Sequence, residues 1–124
     1  MLQIVSIAIG GATGALLRFW MSSGIHSFLG RGFPYGTLVV NVSGSFVMGF
    51  LYVFILEKME INTEWQAALM IGLLGAFTTF STFSIETMNL IEAGDISKAG
   101  LNIILSVSLC LIGCWMGMVL GRQI

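Results

Sequence analysis

Charge placement constrains this chain more than any other feature. Four apolar runs, residues 2–20, 37–56, 65–85 and 101–120, hold one charged side chain between them, Arg18 near the end of the first. A helical run of about 20 residues reaches roughly 30 Å, the hydrocarbon thickness of a bilayer. Side chains are 56% hydrophobic and 9% charged, against about 25% charged in a soluble domain, so a soluble protein is excluded. The chain reads as an all-α membrane protein, a single four-helix transmembrane domain over residues 1–124. Helices are expected at about 2–21, 36–57, 65–91 and 98–121. The first run lacks the basic start of a secretory signal, and its glycines are spread through it, so it reads as a retained helix. A net charge of -1 offers no basic patch to a nucleic acid.

Inside the third run, residues 75–84 read Gly-Ala-Phe-Thr-Thr-Phe-Ser-Thr-Phe-Ser. Thr78, Thr79, Ser81, Thr82 and Ser84 bring hydroxyls to membrane depth, and Phe80 and Phe83 are spaced to share a helix face. Gly72 and Gly75 before them, with β-branched Thr78 and Thr79, weaken a regular helix. The third helix is therefore expected to break near its centre. Carbonyls freed there persist only when buried in protein or lining a site. The plainer alternative makes the rings packing aromatics and returns the hydroxyls to carbonyls one turn back.

Asn41 is the most polar side chain well inside any run. Such an amide either fastens helices together or faces a pathway. Gly10 with Gly14, Gly11 with Ala15, and Gly113 with Gly117 are small pairs four apart that admit a close neighbouring helix. Gly44, Ser45, Met48 and Gly49 make another tight face, while Ser106 and Ser108 lie inside the fourth run. Cys110 and Cys114 read as packing or lipid-facing fillers. Residues 22–36 read as a polar connection, with His26 a solitary loop residue lacking a metal role. Glu86 stands near the exit of the third helix, either as a solvated terminal acid or in a vestibule.

Four spans place both termini on one side, with Lys58 and Arg122. Arg31, Lys98 and Arg18 fall on the other side. Bases this evenly divided assign no orientation, so copies can insert both ways and meet as an antiparallel two-fold dimer. Breaks meeting near the two-fold could converge carbonyls on a cation. A phenyl ring has a positive edge, so Phe80 and Phe83 with hydroxyl and amide donors suit a small dehydrated anion. No Lys or Arg lies at mid-membrane to hold that anion too tightly for conduction.

Three segments occur in order: Gly-Ala-Thr-Gly-Ala-Leu-Leu-Arg-Phe over residues 11–19, Gly-Thr-Leu-Val-Val-Asn-Val-Ser-Gly-Ser-Phe over 36–46, and Gly-Leu-Leu-Gly-Ala-Phe-Thr-Thr-Phe-Ser-Thr-Phe-Ser over 72–84. Together they resemble the Fluc (CrcB-type) fluoride channel family of bacteria. The resemblance implies a dual-topology antiparallel homodimer in the cytoplasmic membrane, with two pores that export fluoride passively. By that likeness the edges of Phe80 and Phe83 line the pore and Asn41 donates to the ion. Ser81 and Thr82 would form a polar track, joined loosely by Ser108. Arg18, Thr37 and Glu86 would stand at an entrance or serve structure. A structural, non-transported Na⁺ would rest on the backbone carbonyls of Gly75 and Thr78. Its partners would be fluoride, membrane lipid and a second copy of the chain.

Two other classes remain in view. A proton-coupled small multidrug exporter shares the four spans but needs a membrane-embedded carboxylate, and Glu86 is the only acid anywhere near mid-span. A structural subunit would use Asn41 and the hydroxyls as helix glue. No nucleophile–base pair or metal cluster points to an enzyme.

Overall fold

The computed structural model describes Met1–Ile124 as helices with short connections and no strand. Helix α1 spans Leu2–Leu29 and α2 spans Tyr35–Lys58; the third span is Thr63–Glu92 and the fourth, α5, is Ile96–Gln123. The third span comprises α3, residues 63–77, and α4, Phe80–Glu92. All four spans are long and apolar enough to cross a membrane. Two stretches, Phe54–Lys58 and Ala67–Leu74, are wound more widely as π-helix.

Local chemistry sets the ends. Asn62 caps α3 by accepting the Trp65 N–H at 3.0 Å. Gly30 stops α1 at φ 82, a conformation that costs glycine nothing, and returns its N–H to the His26 carbonyl at 2.8 Å. The first helix thus runs past the end near residue 21 read from the sequence. Nothing in residues 22–29 forbids helix, and Ser22 is accommodated by donating to the Phe19 carbonyl at 3.3 Å. The expected connection over 22–36 shrinks to residues 30–34. His26 consequently belongs to the last turn of α1 and not to a loop. Its ring lies against α2, where a Cβ on Gly36 would come within 2.7 Å of Nε2.

Close backbone approach holds the spans together. Gly10 and Gly14 bring α1 onto α3, where added Cβ atoms would strike the carbonyls of Ala68 and Leu73. From the other side, a Cβ on Gly72 would lie 2.7 Å from the Ile7 carbonyl. Helices α2 and α5 meet in the same way through Gly49, Gly117 and Gly121. Lipid offers no hydrophobic drive between helices, so van der Waals contact across such small residues does the joining. Gly11 has only the Gly72 carbonyl near, at 4.0 Å, so its pairing with Ala15 is not the seam. At one end Lys58 donates to the Arg122 carbonyl at 2.8 Å, and at the other Lys98 donates to Gly32 at 3.2 Å.

Candidate functional site

Between α3 and α4 two residues are extended, Thr78 (φ -82, ψ 153) and Thr79 (φ -150, ψ 114). In a continuous helix the Thr79 N–H would reach the Gly75 carbonyl. Instead it donates to Asn41 Oδ1 at 2.7 Å, and Asn41 Nδ2 donates back to the Thr79 carbonyl at 2.9 Å. The Thr82 N–H, which would reach the Thr78 carbonyl, donates to Thr79 Oγ1 at 3.2 Å. Gly75 and Thr78 carbonyls are thereby relieved of their helical donors. The paired bonds also fix the Asn41 amide, because its oxygen must face the Thr79 N–H. One Nδ2 hydrogen is spent, and the inventory of an amide leaves a second.

Two cavities adjoin this point and a third lies toward the polar end of the bundle. The innermost, about 290 Å³, is lined by Asn41, Thr78, Thr79, Phe80, Phe83 and Ser106 among others. Behind it a cavity of about 210 Å³ gathers Arg18, Ser22, Thr37, Thr79 and Thr82. An outer cavity of about 380 Å³ is lined by His26, Arg31, Glu86 and Asn89. Thr79 borders the first two, and Thr37 in the second donates to the Glu86 carboxylate of the third. The three thus follow one another from the polar end of the bundle to the centre of the third span.

Hydroxyls divide between the readings weighed above. Thr78 and Ser84 bond back to the carbonyls of Leu74 and Phe80 at 3.0 and 2.9 Å. Thr79, Ser81 and Thr82 form their own cluster, with Thr79 Oγ1 donating to Thr82 Oγ1 at 3.0 Å and lying 3.3 Å from Ser81. The Phe80 and Phe83 rings are 5.3 Å apart at a 46° tilt. Phe83 is 8% exposed and Phe80 76%, so one ring is seated in the bundle and the other projects from it.

The structure therefore brings together Asn41, Thr78, Phe80 and Phe83 in one cavity, Arg18, Thr37 and Thr82 in the next, and Glu86 beyond. Gly75 and Ser81 are exposed beside the break. Ser108 is not brought in: it is exposed on α5 and lines none of these cavities, whereas Ser106 lines the innermost. Ser106 belongs to a buried polar chain the sequence reading missed. It donates to Asn102 Oδ1 at 3.3 Å, Asn102 Nδ2 donates to Thr87 at 2.9 Å, and Thr87 donates to the Phe83 carbonyl at 2.7 Å. The four-residue spacing of Asn102, Ser106 and Cys110 was the available signal, one polar stripe on one helix face.

Comparison with known proteins bears on this arrangement. The family described as CrcB-like protein, Camphor Resistance (CrcB), matches residues 5–118. The chain belongs to the CrcB family. Among curated CrcB relatives, a protein of Methylococcus capsulatus named fluoride-specific ion channel FluC is 54% identical over 99% of this chain. This chain spans only 54% of that relative's length. Proteins of the same name from Coxiella burnetii and Geobacter sulfurreducens are 47% and 44% identical, covering 99% and 100% of this chain and all of the relative in each case. These CrcB relatives are named as channels and not as enzymes. With its four membrane-capable helices, the chain is a multi-pass bacterial membrane protein, and it is not an enzyme.

Proposed function

We propose that the chain is a fluoride-selective channel, passing fluoride out of the cytoplasm without energy input and so limiting its toxicity. The observation that carries this reading is the succession of three neighbouring cavities, two sharing Thr79 in their walls and the third related to them by the Thr37–Glu86 hydrogen bond. Fluoride sheds water only where donors replace it. Arg18 attracts the anion into the middle cavity, where the Thr82 hydroxyl, accepting from Thr79, keeps its own proton to donate, while the Thr37 proton is spent on Glu86. Further in, no fixed cation waits. The second Asn41 N–H and the positive edge of Phe83 would hold the ion weakly enough to release it, with the Ser81 hydroxyl beside the break outside the cavity walls. The relatives' naming as fluoride-specific channels favours fluoride over other anions.

The working form in this reading is an antiparallel homodimer with two pores. Phe80 projects from its own bundle and would complete the pore of a second copy. The carbonyls of Gly75 and Thr78, freed as described, fit a small hard cation, which prefers oxygen ligands. Two copies meeting at their breaks would hold one Na⁺ there as a structural, untransported ion that offsets the negative carbonyl ends.

Purified protein in liposomes, under a potassium–valinomycin potential and read with fluoride and chloride electrodes, tests the proposal. Fast fluoride loss with little chloride loss, abolished in Phe80→Ile, is the expected result. Absence of fluoride loss from a folded, verified dimer would overturn it.

A further inference from the structure

Serine inside a helix ordinarily bonds back to the carbonyl one turn earlier. Ser106 does not; its proton goes to the Asn102 side chain. The direction of every bond in that chain is fixed from its far end. Thr87 has one proton and spends it on the Phe83 carbonyl, so it can only accept from Asn102 Nδ2. The Asn102 oxygen is then turned to Ser106 and draws its proton away from the cavity. Asn102 is 2% exposed and Thr87 6%, so water does not compete for the bond between them, whereas Ser106, 7% exposed, borders the cavity. The bonds at Thr87 are 2.7 and 2.9 Å, whereas the one at the cavity end is 3.3 Å, near the outer limit for a hydrogen bond. The chain is firm where it is anchored and loose where it meets the site.

We propose that Asn102 is a positioning residue that parks the Ser106 hydroxyl, and that an arriving anion turns it round to donate into the innermost cavity. The inference rests on the fluoride-channel reading. At rest Ser106 presents oxygen lone pairs to the cavity. An anion there gains a donor by displacing one weak bond, and on its departure Asn102 takes the proton back. A donor that is returned after use binds more weakly than a free one, which is what conduction requires.

The test is a double-mutant cycle on fluoride efflux from liposomes, with dimer formation verified for each variant. Ser106→Ala removes the donor and should lower flux about 3- to 10-fold, the scale of one neutral hydrogen bond. Asn102→Ala should cause a similar loss, because Ser106 then falls back on the main-chain carbonyl one turn earlier. Combining them should cost no more than Ser106→Ala alone, since a residue acting only through another adds nothing once that other is gone. If Asn102→Ala does not assemble, Asn102→Val refills the space and takes its place in the cycle. Losses that multiply in the double variant would sink the proposal. A wild-type protein that passes no fluoride would instead remove the channel reading beneath it, and the wild-type trace alone shows which has failed.

Discussion

One amide holds the break in the third span. Asn41 gives the Thr79 N–H an acceptor and the Thr79 carbonyl a donor, so two backbone groups that a helix would have paired stay paired. Replacing it with leucine strands both groups, at about 1–3 kcal/mol for each unsatisfied partner. Asn41→Leu should therefore lower the thermal unfolding midpoint in detergent, and an unchanged midpoint would mean that Thr79 is held by something else. From sequence Asn41 could be glue or pathway. That choice was illegible because the partner is backbone 38 residues away. Ser108 and Ser106 show the same limit: two serines two apart on a helix look alike in sequence, and only packing decides which faces inward. Phe83 could be singled out because an unusual run marked it and Arg18 because it is the one charge in the four apolar runs; Thr37 came only from the likeness to the fluoride channel family.

At the scale of the elements, glycine is not interchangeable with glycine. A Cβ on Gly117 would run into the Phe46 carbonyl, whereas one on Gly24 meets nothing within 4 Å. Gly117→Ala should force α2 and α5 apart at about 1–3 kcal/mol, the usual cost of overpacking. Gly24→Ala should be neutral or stabilising by up to about 1 kcal/mol through helix propensity. Thermal midpoints of the two variants check this, and equal midpoints would mean the α2–α5 seam is not close-packed. The four spans were legible because charges mark where lipid ends. The end of α1 was not, since hydropathy reports what lipid accepts and polar residues such as Ser22 and Ser27 can continue a helix beyond it. The stop lay in Gly30, whose positive φ no polarity scale registers.

Over the whole molecule the bases are nearly even between the two ends, with Lys58 and Arg122 at one and Arg31 and Lys98 at the other. A side-specific reporter on the C-terminus should therefore be labelled from both faces of the membrane; labelling from one face alone would exclude the antiparallel dimer. Length adds a further consequence. Helix α1 has 28 residues, about 42 Å at the usual rise, and so outreaches a hydrocarbon core of roughly 30 Å. Its final turns carry Ser22, Ser23, His26 and Ser27, so the surplus emerges into the headgroup layer as a rim around the outer cavity. Charges on that rim, Arg31 and Glu86 among them, share their surroundings with mobile ions, whose screening length is about 8 Å at physiological strength. The phenyl cavity below has no charged residue in its lining. Raising the salt of the bath should slow the capture of dilute fluoride and leave the choice between fluoride and chloride untouched.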